Sequence, residues 1–260
     1  MTSTMPPTVG EAPRLPWTTW LNVFTRMLAI QGSWNYETLL GNGIGFCVEP
    51  ALRKLPGGVH GAEFKAALAR ESTYFNAHPY LASVAVGALA RAELSGVPPA
   101  RIERFRTALS GPLGSVGDRL VWAGWLPFCS LCALVCFGLG TRPLVVVLVF
   151  LLLYNAGHLA LRVWGLHVGW TRGLGVASAL ANPVLRQGPN HVARAASAVA
   201  GVALPLTAAR LLGTHSRILA LVLLLATLLA VVLVRWHHRV EGWKLALVLI
   251  ALFALVSVVR

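Results

Sequence analysis

The chain has 260 residues, of which 56% are hydrophobic and 12% charged. Ordinary soluble domains carry about 45–50% apolar and about 25% charged residues, so too little polar surface is available to wrap a water-soluble globule, and the Leu, Val, Ala and Trp content excludes disorder. An integral membrane protein remains. Lys and Arg number 22 against nine Asp and Glu, a net +13. The basic residues are spread out rather than gathered into the stripe that a phosphate-binding face needs, which argues against nucleic acid. The same excess suits cytoplasmic loops and anionic lipid headgroups. Eight of the nine acids lie at or before Asp118, so the second half is apolar and basic.

Residues 1–19 are Pro-rich and polar, without an apolar signal core, and read as a disordered cytoplasmic tail. Helical spacing then appears at Trp20, Val23, Phe24, Met27, Leu28 and Ile30. Gln31, Ser33, Asn35, Glu37 and glycines 32, 41, 43 and 45 interrupt the apolar sequence that follows. This reads as a surface helix leading into a broken or re-entrant segment, which needs protein or water to cover its backbone. A short amphipathic helix is expected around Glu63–Tyr74. Pro79 opens an apolar helix over 80–90. A turn at 96–99 precedes a basic amphipathic helix over 101–109 at the membrane surface.

Residues 120–140 form a run of 21 without a charge, and 144–161 a run of 18; about 20 suffice to cross a bilayer core. Thr141–Pro143 reads as the turn between them. Residues 163–185 read as a partly buried helix, 186–191 as a polar loop, and 192–212 as an Ala-rich span. Residues 218–234 and 245–259 are strong apolar runs. The basic, aromatic stretch between them reads as a cytoplasmic interfacial loop, with the C-terminus outside. The fold class is therefore an all-α polytopic membrane protein, with broken or re-entrant helices in 20–118 and several transmembrane helices in 119–260.

Cys129, Cys132 and Cys136 share one helical face in a charge-free run and read as small packing groups rather than a metal site. Glycines 41, 43 and 45 lack the rest of a dinucleotide fingerprint and read as close-packing positions. Glu37 stands in a segment dominated by Leu, Phe, Trp and Gly, where burial costs several kcal/mol unless the carboxylate is paired. With Gln31 and Asn35 it forms a donor–acceptor set suited to sugar hydroxyls, and Trp34 and Tyr36 offer flat faces for sugar C–H groups. The alternative is that these polar groups only cap a broken helix and bind one another. Asp118 reads as an N-cap of the span that follows, and His78 as a helix start. No catalytic motif or metal site is found, and no cofactor is implied.

Gln31-Gly-Ser-Trp-Asn-Tyr-Glu37, Phe75-Asn-Ala-His-Pro-Tyr-Leu-Ala-Ser83 and Gly111-Pro-Leu-Gly-Ser-Val-Gly-Asp118, in this order, resemble motifs of the enzyme IID component of the mannose/fructose/sorbose phosphotransferase system. Asn155 and the Arg162–Gly165 stretch fit a later motif. The resemblance covers residues 20–260. Two places depart from it: Ser115 replaces the usual Ala or Gly, and 186–216 is shorter and more basic. The resemblance implies a bacterial inner-membrane, multi-pass subunit. With a IIC subunit it would translocate a hexose, while soluble IIA and IIB carry phosphate to the sugar on their own histidines. It implies an oligomer of IIC–IID units, no catalytic residue in this chain, Gln31, Asn35 and Glu37 at the sugar, and His78 and Asp118 in gating or structure. An orphan or regulatory IID-like protein, or a membrane receptor, are the alternative classes.

Overall fold

The computed structural model describes residues 15–176 and 183–213, together with 221, 224, 225 and 228. The first 14 residues of the expected tail, the apolar runs at 218–234 and 245–259 and the loop between them lie outside the described set, four positions apart. The described residues form helices and turns, with no named strand among them. Eight α-helices follow one another: α1 Trp17–Met27, α2 Gly41–Leu52, α3 Ala62–Glu71, α4 Ala82–Leu94, α5 Pro99–Gly117, α6 Leu126–Gly138, α7 Pro143–Arg172 and α8 Pro183–Leu212. A wide-turned π segment, Asp118–Trp125, joins α5 to α6.

Among the described residues, three stretches are long and apolar enough to cross a membrane: Pro99–Gly138, Pro143–Val176 and Leu185–Leu212. Their outward faces carry exposed Leu144, Leu152, Leu204 and Leu211, as a lipid-facing surface requires. Helices α1 to α3 gather with α4 and the first half of α5 around a core that includes Met27, Ile44, Phe75, Leu89 and Ile102 and extends to Leu166 of α7.

The π segment has a cause in the sequence. Pro127 follows two residues after it. Inside a helix, proline lacks an N–H and its ring meets the carbonyl four residues back. Widening the preceding turn relieves that clash. The stop after α6 is equally explicit. Gly140 has φ +84°, its N–H reaches the Phe137 carbonyl at 3.0 Å, and the Thr141 N–H reaches the Cys136 carbonyl at 3.1 Å. This pair of bonds is the glycine-based helix stop, and Pro143 then starts α7, as expected of a proline in a first helical turn.

Three expectations change. Asp118 does not cap a helix start; it is exposed in the interior of the continuous Pro99–Gly138 helix. The basic helix over 101–109 and the span after it are thus one element. Residues 144–161 and the helix expected to begin at 163 also merge into α7, because Arg162 does not interrupt the helix but is buried in it. The polar stretch 186–191 is helical, inside α8.

Helix α4 is the centre of the architecture. Every residue from Ala82 to Glu93 is buried, and most are small. It lies against α7 with almost no side chain between the backbones. A Cβ at Gly87 would stand 2.4 Å from the Leu166 carbonyl oxygen, and one at Gly169 would stand 2.2 Å from that of Val84. At Gly165 the small Ser83 side chain fills the space instead, its Oγ 2.0 Å from where a Cβ would stand. Leu126–Gly138 and α8 pack side by side, with Gly138 against Leu206. Replacing Gly169 by Val should therefore lower detergent-solubilised stability by at least the ~1–3 kcal/mol typical of overpacking. Gly201, with open space around it, should accept Ala without loss; thermal melting of the two variants checks the contrast.

Candidate functional site

Between α1 and α2 the chain runs through consecutive tight turns over 28–40, closed by bonds such as Gly32 N–H to Ala29 O at 2.8 Å and Leu39 N–H to Asn35 O at 2.9 Å. Asn35 organises them. Its Oδ1 accepts the N–H groups of Glu37 and Thr38, both at 2.9 Å. Its Nδ2 donates to the Ser33 carbonyl at 3.1 Å and to Thr38 Oγ1 at 2.9 Å. Asparagine is suited to this because its side chain mimics a backbone turn.

Leu39 is held at φ +50°, the one non-glycine residue with positive φ among those described. A leucine there is strained. What holds it is the segment 73–78: Leu40 N–H donates to Phe75 O at 3.0 Å, and Phe75 N–H donates to Thr38 O at 3.1 Å. Glycine spacing lets α2 come this close. A Cβ at Gly41 would meet the Thr73 carbonyl oxygen at 2.0 Å, and one at Gly43 that of Ile30 at 2.0 Å, so the close-packing reading of the glycine cluster holds.

The candidate residues divide in two. Asn35 turns its polar atoms inward and shapes the loop. Gln31 and Glu37 are exposed. Glu37 is thus not the buried carboxylate that its apolar neighbours suggested, because the turns lift it out of the core. Trp34 and Tyr36 are also exposed, with rings 4.9 Å apart and edge to face. The loop therefore presents an amide, a carboxylate and two aromatic faces outward on a rigid base.

Segment 73–78 ends at His78, which does serve the start of α4: its Nδ1 accepts the Tyr80 N–H at 3.2 Å, and its carbonyl accepts that of Ala82 at 2.9 Å. Nε2 is buried without a hydrogen-bond partner among the described residues. Burial and the charge of Arg162 push the imidazole down to about 4. Gly117 sits flush against it, where a Cβ would lie 2.1 Å from the His78 Cβ. Asp118, one residue on, is exposed.

Two charged groups escaped the sequence reading. Arg162, on α7, is buried; its Nη1 donates to the Met27 carbonyl at the end of α1, and its Nε donates to His158 Nε2 at 2.8 Å. Its guanidinium also lies 5.0 Å from the Tyr80 ring centroid. Glu71 is fully buried and paired with Arg106, whose second nitrogen donates to the Thr73 carbonyl at 2.8 Å. Burial pushes the Glu71 carboxyl above the usual range against the pull of Arg106. Arg70 clasps Glu93 with two bonds of 2.9 and 2.8 Å. Arg162 thus fixes the entrance of the loop, and Arg106 fixes segment 73–78. The clue to Arg106 was a lone acid, Glu71, at the end of an amphipathic helix; Arg162 was marked by a charge between two apolar runs.

Two outcomes follow. Asn35→Ala should cost about 1–3 kcal/mol by leaving two backbone donors without their acceptor, seen as a lower Tm and faster amide exchange at Glu37 and Thr38. His78 releases its proton at about 4 when folded and near 6.5 when free, so the unfolded chain binds more protons between these values and stability falls as the pH drops from 6.5 to 4. His78→Asn should flatten that part of the stability–pH curve.

The profile of the PTS system mannose/fructose/sorbose family IID component matches residues 15–260. The mannose-specific EIID component of Escherichia coli K12 is 30% identical over 171 residues, 64% of this chain and 59% of that protein. The sorbose-specific EIID component of Klebsiella pneumoniae is 31% identical over 176 residues, 64% and 61% of the two chains. The fructose permease IID component of Bacillus subtilis is 31% identical, covering 62% and 58%. The match thus spans about three fifths of these relatives' length. Among solved structures, a chain of the mannose transporter ManYZ complexed with microcin E492 superposes with a TM-score of 0.56 at 26% identity, over 72% of this chain and 69% of that one.

Proposed function

The chain belongs to the IID components of the mannose/fructose/sorbose phosphotransferase family, and from that membership we propose that it is the IID half of a hexose permease in a bacterial inner membrane. In this reading a IIC subunit completes the transport unit, units of the two assemble into an oligomer, and IIA and IIB phosphocarriers supply the phosphate. This chain holds and orients sugar while chemistry happens on the partners.

The observation that carries the reading is the loop 31–38. A membrane protein spends hydrogen bonds from Asn35 and strain at Leu39 to hold Gln31, Trp34, Tyr36 and Glu37 outward. Neither the Gln31 nor the Glu37 side chain bonds another of the described residues. An amide and a carboxylate beside aromatic faces match hydroxyls and C–H groups of a hexose, and a broken helical segment in apolar sequence is where transporters place such sites. Roles divide accordingly: Gln31 and Glu37 contact the sugar, and Asn35 supports them from behind. His78 and Asp118 act outside the sugar contact, His78 by fixing segment 73–78.

Uptake of labelled hexose, in cells carrying the full set of subunits, tests this. Glu37→Gln and Gln31→Ala should each reduce uptake about tenfold or more, as loss of a hydrogen bond to ligand of ~1.5 kcal/mol implies, with unchanged amounts of protein in the membrane. Wild-type uptake by both variants would remove the loop from the sugar path.

A further inference from the structure

Helix α7 carries a polar stripe that neither the sugar loop nor the packing of the described chain uses up. Asn155, His158 and Arg162 lie three and four residues apart on one side of the helix. They are bonded in sequence: Asn155 Oδ1 faces His158 Nδ1 at 3.4 Å, and His158 Nε2 accepts the Arg162 Nε–H at 2.8 Å. The last bond fixes the tautomer, because Nε2 must be the acceptor, so a neutral ring carries its proton on Nδ1. Tyr154 turns aside to bond Tyr80, oxygen to oxygen at 2.6 Å.

The stripe sits at membrane depth. At ~1.5 Å per residue, Asn155 and His158 stand about 18 and 22 Å along the axis from Pro143, inside a core about 30 Å thick. Asn155 is nevertheless exposed and His158 only half-buried, among outward Leu151, Leu152, Ala156 and Leu159. Polar groups left against lipid at that depth are costly. Behind them Arg162 is a buried cation with no carboxylate partner among the described residues: its bonds go to a carbonyl and an imidazole, and it enters none of the ion pairs. The chain has little to offer it. After Asp118 its one acid is Glu241, set in the polar stretch between the last two apolar runs.

We propose that the Asn155–His158–Arg162 stripe docks a carboxylate-bearing transmembrane helix of the second membrane subunit. The complementarity is of charge and of donors. The Asn155 amide has a second N–H beyond the one given to the Leu151 carbonyl, the His158 Nδ1–H is spent only on the long 3.4 Å contact with Asn155 Oδ1, and Arg162 bonds the other nitrogen of the same ring. A carboxylate arriving there accepts from both and neutralises the buried guanidinium. A headgroup phosphate cannot take that place, because it would have to descend into the hydrocarbon. The inference rests on the reading of this chain as one half of a two-subunit transporter.

The test uses the full chain, affinity-tagged and co-expressed with the IIC subunit from the same genome, and reads the IIC retained after solubilisation. Asn155 bonds only within its own helix, Nδ2 to the Leu151 carbonyl and Oδ1 to His158, so Asn155→Leu removes no bond to another element of the chain. It should leave the Tm of the chain purified alone unchanged or raised, and lower IIC retention about tenfold, the effect of ~1.4 kcal/mol. His158→Gln should lower retention as well. Replacing each intramembrane Asp or Glu of IIC by its amide should reveal one position with the same loss, and combining that change with Asn155→Leu should cost no more than either alone. Full retention by both variants of this chain, or independent additive losses, would overturn the docking face while leaving the transporter reading intact. Failure of the wild-type chain to retain any IIC would overturn both.

Discussion

The structure depends on one approach of backbone to backbone. Helices α4 and α7 meet at Gly87, Gly165 and Gly169, with carbonyl oxygens at Gly87 and Gly169 and the Ser83 hydroxyl at Gly165 where side chains would otherwise be. Between membrane-embedded helices the hydrophobic effect supplies little discrimination, since lipid is as apolar as leucine, and small residues allow contact by dispersion instead. A short α4 can be buried along its length only because α7 comes this near. From that axis the rest is placed: segment 73–80 leads into α4 from one end, and Arg91 on α4 donates to the Trp170 carbonyl at the other, satisfying a helix C-terminus that would otherwise be left open.

The loop 31–38 inherits its position from the same axis. Arg162, three residues before the first tight contact on α7, holds the Met27 carbonyl where α1 ends. Segment 73–78 holds the other side through Thr38 and Leu40. Arg106 ties that segment in turn to α5 through the Thr73 carbonyl and Glu71. A loop anchored on both flanks can keep Leu39 at positive φ and still present its outward side chains in a fixed arrangement, which is what a ligand contact needs.

Much of this was legible in the residues. The glycine spacing at 41, 43 and 45, the turn at Thr141–Pro143 and the apolar spans were written in local chemistry, and local chemistry decided them. The rest was not local. Glu37 reads as a buried carboxylate from its neighbours in sequence, but whether a loop turns inward or outward depends on where Phe75 meets Leu40, 35 residues away. Asp118 has the makings of a helix cap, yet α5 runs straight through it, since Pro127 is accommodated by a wider turn rather than a break. Arg162 looks like the end of a span because charge usually is; here a carbonyl from α1 and an imidazole from its own helix receive it.

The uneven distribution of acids along the chain has a counterpart in three dimensions. The ion pairs among the described residues all join groups at or before Arg106: Arg26 and Arg53 with Glu49, Arg70 with Glu93, Arg106 with Glu71. Beyond that point the cations turn to neutral acceptors. Arg119 uses the Ser115 carbonyl, Arg162 that of Met27, and Arg210 that of Phe137. The described ion pairs are therefore confined to the body around α4 and the first half of α5, whereas Arg119, Arg162 and Arg210 on the spanning helices are answered by carbonyls, and Arg162 also by an imidazole. A carbonyl dipole partly compensates a guanidinium, but in a medium of low dielectric a carboxylate does so far better. An excess of one sign inside a membrane protein is stable when a neighbouring chain supplies the other sign, and the two halves of this molecule differ in just that need.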